Sequence, residues 1–426
     1  MIIHVVQDGE TINSIAENYG VSAERLILEN EIKAPNNLVV GETLVILHPE
    51  IMHTVQEGDT LAGIADYYGV PVIQLLRNNP YLSNRDFIYP GETIVISYKD
   101  EKIMTLSTNG FTYPFIDKEV LRKTLPFLTY ITIYSYTVTA EGEIYDIDDN
   151  EMIQMAKEYG VAPIMMLTAA TQDPTEEINV THNVLLSLEK QYQFINKVIS
   201  ILKTKGYYGV NISTPYIYPK DLKIYVDFIT NFSKRIKEEG FKVFETININ
   251  IFEIMTSTKY IGLDYARLGQ ALDGILYMPY EWGNMKGIPT GVISFDSIRD
   301  YVSYMAKQIP PEKTIIGVPI LGYVWKRPYI PCVTSGLTIT NNAAIELAGD
   351  VGAVIQYDET TKASYFQYIS VEEYVVRFRD ARSVDAYVKL VPEYGIYGIG
   401  IWNIMSYFPQ MWLVTNSEYK IERIYA

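Results

Sequence analysis

The chain has a single cysteine, Cys332, so it forms no internal disulfide. Its four histidines, His4, His48, His53 and His182, are scattered and make no metal-ligand cluster. Basic residues are in deficit: 35 Lys and Arg stand against 51 Asp and Glu, a net charge of −16. Nucleic acid is therefore not an expected partner, because phosphate binding needs a basic footprint. No run of about 18 uncharged apolar residues occurs, which excludes a membrane-spanning helix. The opening Met1-Ile2-Ile3-His4 has neither a basic stretch nor a long apolar one, so no secretory signal is expected. A Gly-rich phosphate loop, a G-x-S-x-G elbow, an H-E-x-x-H pair and a Cys-x-x-Cys pair are all missing. No cofactor and no metal is expected, and Cys332 reads as a small buried residue.

What is present is a globular composition, 426 residues with 48% hydrophobic and 20% charged, long enough for two to four domains. Tyrosines number 36, enough to fill a core or to line a sugar groove. The N-terminus repeats itself. His4-Val5-Val6-Gln7-Asp8-Gly9-Glu10-Thr11-Ile12 returns as His53-Thr54-Val55-Gln56-Glu57-Gly58-Asp59-Thr60-Leu61, and Gly41-Glu42-Thr43-Leu44 returns as Gly91-Glu92-Thr93-Ile94. Each copy reads strand, helix, helix, strand, with a turn at Asp8-Gly9, an N-cap at Thr11 and a helix stop at Gly20. Units of about 45 residues with no disulfide sit near the lower size limit for an independent core.

These copies, expected over residues 1–49 and 50–98, resemble the LysM module in nearly their full length. That resemblance implies binding of N-acetylglucosamine-containing glycans, peptidoglycan or chitin, in a groove between two loops. By position the first copy offers Gly9, Glu10, Thr11, Ile12 and Asn30, and the second Gly58, Asp59, Thr60, Leu61 and Asn79. The same residue types also serve as turn and cap residues, so a purely structural role stays open. Acidic residues outnumber basic ones 14 to 5 over residues 1–100, so wall binding by cationic attraction is excluded. Two weak sites on one chain would gain instead through effective concentration.

After Lys99-Asp100-Glu101-Lys102, eight strand-like runs alternate with helical stretches: Ile103–Ser107, Tyr130–Tyr136, Ala162–Leu167, Tyr208–Ile212, Lys242–Ile249, Gly274–Tyr280, Thr314–Leu321 and Gly395–Trp402. Eight such units predict an α/β fold, a (β/α)8 TIM barrel over 102–426, with a small α+β insertion at about 329–378. Asp146, Asp148 and Asp149 read as a loop with a helix N-cap. The stretches Leu276-Tyr277-Met278-Pro279-Tyr280-Glu281-Trp282-Gly283, Gly317-Val318-Pro319, Gln356-Tyr357-Asp358-Glu359 and Phe408-Pro409-Gln410-Met411-Trp412 resemble glycoside hydrolase family 18, the chitinase-like barrels. Within it the chain is similar to the SleL and YaaH group of spore cortex-lytic proteins, which also carry tandem LysM modules.

The family cleaves β-1,4 bonds beside N-acetylated sugars by substrate-assisted catalysis. Its fourth strand ends in D-G-x-N/D-x-D-x-E, and alternation turns both carboxylates of D-x-E toward the sugar. Here Tyr208 stands for the first aspartate, Asn211 holds the middle position, Ser213 replaces the orienting aspartate and Pro215 replaces the acid. Proline has no proton to donate, and a general acid contributes on the order of 10² to 10⁴ in rate. No intact catalytic set is therefore expected. The resemblance does keep Met278 and Tyr280 as the strand-six pair that meets the acetamido group, and Trp402 as the floor under the sugar. Glu245 on strand five and Glu281 after Tyr280 are the candidate substitute acids, Glu281 also belonging to the substrate-binding signature.

Three readings follow. The first is a glycan-binding protein of the spore cortex or coat on a barrel that has lost hydrolysis. The second is an active cortex N-acetylglucosaminidase with a relocated acid, and the third a structural coat protein in which only LysM binds. All three expect a peptidoglycan-type partner and placement in coat, cortex or wall from the mother-cell cytoplasm, as the resemblance implies.

Overall fold

The computed structural model describes residues 1–85, 87–99, 101–139, 142–168, 182–213, 219–248, 263–278, 294–330 and 334–425. Cys332, Pro215, Tyr280 and Glu281 lie outside the described residues.

The first repeat pairs β1 (Ile2–Val5) antiparallel with β2 (Thr43–Ile46) around two helices, Ile12–Tyr19 and Ala23–Asn30. The second repeats it with β3 (Pro49–Thr54), helices Leu61–Tyr68 and Val72–Asn78, and β4 (Thr93–Tyr98). Thr11 and Thr60 cap their helices through side-chain oxygens that accept from Ser14 N and Gly63 N. Gly20 and Gly69 end those helices at φ 65° and 67°, a left-handed conformation that glycine adopts without a Cβ penalty. Each module has its own small core, Val6, Ile15, Leu26 and Leu44 in one, and Val55, Ile64, Leu75 and Ile94 in the other.

The modules do not stand alone. Val45, Leu47, Val95 and Tyr98 belong to the main core of the chain, beside Leu121, Leu125 and Trp412. Thr43 donates from Oγ1 to Gln410 Oε1 at 2.9 Å, and Arg77 Nε donates to the Pro126 carbonyl at 2.6 Å. Such small modules gain through this docking the burial that their size denies them.

The barrel strands are β5 (Met104–Thr112), β6 (Tyr130–Thr137), β7 (Ala162–Thr168), β8 (Gly209–Ser213), β9 (Lys242–Asn248), β10 (Gly274–Met278) and β11 (Thr314–Pro319). An insertion follows: β12 (Gly322–Lys326), β13 (Leu337–Ile339), the helix Asn341–Asp350, β14 (Gln356–Asp358), β15 (Ala363–Ile369) and β16 (Glu373–Phe378). The eighth barrel strand is β17 (Gly398–Trp402), and β18 (Tyr419–Ile421) trails it. Neighbouring strands run parallel from β5 through β11 to β17, and β17 pairs with β5 to close the ring. The expected (β/α)8 barrel is therefore present. Two details differ. The insertion sheet, order β13-β12-β16-β15-β14, takes in Gly322–Lys326, ahead of the expected start at 329, because β12 pairs with β16 and not with the barrel. The short β18 adds to β5 outside the ring through Tyr419–Ile421 against Met104–Leu106, a pairing too brief to show as a period-two pattern.

Candidate functional site

Alternation along the eight strands sorts side chains into two sets. Phe111, Tyr130, Ile164, Met166, Phe244, Leu276, Met278 and Ile315 cluster inside the barrel, while Ile131, Met165, Val210, Val243, Ile275, Ile316 and Ile399 pack against the helices. The β8 register, Met166 beside Asn211, Thr168 beside Ser213, then Asn211 beside Phe244 and Ser213 beside Thr246, puts Asn211 and Ser213 on the lumen side. Asn211 is fully buried and accepts from Thr246 Oγ1 at 3.0 Å; its Nδ2 has no partner among the described residues. Ser213 ends β8 at the C-terminal face, where barrel chemistry resides.

Tyr208 sits at the other mouth. Its ring lies 6.1 Å from Tyr130 and 5.9 Å from Tyr425, beside a hydrogen bond of 3.0 Å between Tyr130 and Tyr397 hydroxyls. Tyr397 in turn donates to Glu422 Oε2 at 2.6 Å. This tyrosine layer fills the N-terminal end, away from Ser213.

The C-terminal mouth has an aromatic floor. Trp402, half-buried at the end of β17, has Tyr134 at 5.4 Å, Phe111 at 5.8 Å and Tyr113 at 6.0 Å. Tyr113 touches Tyr134 at 5.1 Å and stacks on Phe115 at 5.3 Å, and Phe115 is 77% exposed. Burial, reinforced by Tyr134, pushes the Tyr113 hydroxyl up to about 12, so it stays a protonated donor at neutral pH. Met278 is buried in the same inner cluster as Phe244 and Leu276. No sequence pattern marks Tyr113 or Phe115, whereas Tyr134 is legible, since Tyr130, Thr132 and Tyr134 share one face of β6.

Glu245 does not belong to this site. It lies on the outward side of β9 with Val243 and Ile247, both packed in the core between barrel and helices. Its Oε1 accepts at 2.6 Å from the hydroxyl of Tyr225, on the helix Leu222–Glu238 behind the strand. Burial raises its carboxyl to about 7, against the lowering effect of that hydrogen bond. The expectation of Glu245 as substitute acid is thus corrected: a lumen position on β9 needs the parity of Phe244 and Thr246. Glu245 is also the only carboxylate on the eight described strand segments, so none of those strands turns an acid into the lumen. Asp149 likewise departs from expectation. It precedes the helix Asn150–Glu158 but makes no cap hydrogen bond. Its oxygens accept instead from Tyr136 OH at 2.6 Å, from Tyr207 OH and from Lys205 Nζ at 2.8 Å, a tie between elements outside the lumen.

The architecture has matches among known proteins. Residues 113–406 fit the family described as glycosyl hydrolases family 18. The chain belongs to that family. Residues 4–47 and 53–97 match the LysM domain. The family 18 chain is 28% identical over 431 residues to the cortical fragment-lytic enzyme of Bacillus subtilis (strain 168), covering 99% of each. It is also 28% identical over 418 residues to the putative sporulation-specific glycosylase YdhD of the same organism, covering 97% and 98%. The crystal structure of the Bacillus megaterium QM B1551 spore cortex-lytic enzyme SleL matches it with a TM-score of 0.81 at 26% identity, over 99% of both chains.

In the LysM modules of this family 18 chain, the residues singled out divide by role. Gly9 and Gly58 adopt φ of 81° and 91° in exposed turns. Glu10 lies 2.8 Å from His4 Nε2 and accepts from Gln7 N, and Asp59 repeats this with His53 at 2.8 Å and Gln56 N. Both carboxyls are held below their ordinary values, Glu10 first by the Gln7 amide and Asp59 first by His53. Ile12 is buried and Leu61 packs partly buried on the second module's core. Asn30 lines a cavity together with Glu31, Lys33 and Asn37, but its amide, like that of Asn79, is spent inside the module. Asn30 joins Leu26 O and both Val45 backbone groups, and Asn79 joins Leu75 O and both Val95 backbone groups. Each is buried and spends its amide on tying a helix to the closing strand.

Proposed function

We propose that this protein binds N-acetylglucosamine-containing glycan of the peptidoglycan type, through its LysM modules and its barrel mouth, without hydrolysing it. The observation that carries this reading is the combination of an acid-free strand-four motif with a kept aromatic floor. Ser213 and Pro215 stand where the orienting aspartate and the acid belong, and the one carboxylate on the described barrel-strand segments, Glu245, points at Tyr225. Trp402, Tyr134 and Tyr113 meanwhile present aromatic surface that suits the C–H face of a pyranose. Binding and transition-state stabilisation are separable, so a floor that has lost its strand-four acid can hold sugar and leave the bond intact. The likeness to cortex-lytic enzymes supports the spore cortex or coat as the place of action.

The test is incubation of the purified protein with spore-cortex peptidoglycan, with products read by mass spectrometry and bound protein by sedimentation. Co-sedimentation without new N-acetylglucosamine reducing ends is the expected result. Turnover abolished by Glu281→Gln would replace this reading with an enzyme using a relocated acid. Sedimentation that survives Trp402→Ala but is lost on deleting residues 1–98 would favour a LysM-only coat protein.

A further inference from the structure

The two LysM copies share a fold, yet their second loops face different surroundings. In the first copy Val39 packs on the insertion core, and the Ile355 amide donates to the Val40 carbonyl at 2.9 Å. A Cβ on Gly41 would meet the Ile355 carbonyl oxygen at 1.9 Å. Lys33 pairs with Glu346 at 2.6 Å, and the loop borders a partly open cavity of about 260 Å³ that Asn342, Glu346 and Asp350 of the insertion line from the other side. In the second copy the loop starts against the barrel, but its tip stands clear. Phe87 is 73% exposed, Tyr89 is 59% exposed, and a Cβ on Gly91 would meet nothing within 4 Å. That tip lies beside the first loop of its own module, since Gly91 N donates to Val55 O at 2.9 Å and Val55 N to Glu92 O at 2.8 Å.

Sequence repeats the asymmetry. The three exposed aromatics of the second copy, Tyr67, Phe87 and Tyr89, correspond in the first copy to Asn18, Asn37 and Val39. Large rigid rings exposed to water carry a hydration cost that a stacked sugar relieves, whereas Val39 already has a protein partner.

We propose that the tandem modules have divided their work: the first mounts the pair on the barrel insertion through Val39–Gly41, and the second alone engages glycan, with Phe87 and Tyr89 as its stacking surface. This rests on the glycan-binding reading above, and it replaces two equivalent weak sites by one site held at a set position beside the barrel.

The experiment uses the full chain, titrated with a soluble N-acetylglucosamine hexamer and sedimented with insoluble peptidoglycan. Phe87→Ala with Tyr89→Ala is compared with Asn18→Ala with Asn37→Ala, all at exposed positions where the thermal midpoint should hold. Loss of two aromatic contacts should weaken binding about tenfold, and the asparagine pair should change it by less than about twofold. Hydrogen exchange should show residues 31–42 protected with or without hexamer, and residues 87–92 gaining protection only with it. Equal losses from both pairs, or hexamer-dependent protection of both loops, overturns the division of work while leaving glycan binding standing. No binding by the unaltered chain overturns both.

Discussion

Replacing Glu245 by Gln distinguishes a buried structural carboxyl from a catalytic one. Glu245 is 2% exposed, one oxygen accepts from Tyr225, and the other has no partner among the described residues. Burial raises its carboxyl from 4.5 to about 7. The folded state therefore binds this proton more tightly than the unfolded state. Its stabilising contribution is full below pH 4.5 and is lost as pH rises to about 7, where the native carboxylate must ionise without water. At 1.36 kcal/mol per pH unit, that interval corresponds to roughly 3 kcal/mol. Gln has no charge to bury, and its carbonyl oxygen still accepts from Tyr225. Unfolding free energies from urea titrations between pH 4 and 8.5 should therefore diverge, with Glu245→Gln gaining roughly 3 kcal/mol on the unaltered chain toward alkaline pH. Glu42, raised to about 7 by burial, titrates in both proteins and cancels in the difference. Glycan binding should not change. A difference that is flat with pH, or a loss of glycan affinity in the variant, would refute the outward, buried placement.

Other perturbations address separate parts of the molecule. Asn79→Ala removes three hydrogen bonds to backbone groups and a longer one from Tyr81 OH, and strands Val95 N without an acceptor, so the second module should lose roughly 2–3 kcal/mol in chemical denaturation. Gly41→Ala and Gly91→Ala share the cost of a Cβ at positive φ, 89° and 93°, but only the first also meets Ile355. The drop in thermal midpoint should be clearly larger for Gly41→Ala, and equal drops would count against the mount. Trp402→Ala should weaken hexamer binding at the barrel by roughly tenfold and, because its ring packs on Phe111, Tyr113 and Tyr134, also lower the thermal midpoint, with binding measured by calorimetric titration, below that midpoint, of a chain that also carries Phe87→Ala and Tyr89→Ala.

Much of this protein was legible in its residue order. The repeat of His4–Ile12 at His53–Leu61 marks two copies of one small unit, because cap, turn and core positions are local requirements. Eight apolar runs separated by helices imply the barrel, since each βα unit buries its faces in the same way wherever it falls. The lost acids at Ser213 and Pro215 are visible by inspection. Three-dimensional packing decided the rest. Whether Glu245 faces sugar or helix depends on strand parity, and a one-residue ambiguity at a strand start reverses it. The roles of Asn30 and Asn79 depend on which backbone groups fold back upon them from β2 and β4. The floor around Trp402 joins Phe111, Tyr113, Tyr134 and β17, residues far apart in the chain that meet only because the ring closes between β17 and β5. The corresponding loops of the two modules likewise differ in what they can touch, because the Ile355 carbonyl lies against Gly41 whereas a Cβ on Gly91 would meet no described atom within 4 Å. Local patterns specify elements, but contacts between distant elements are set by the closure of the fold.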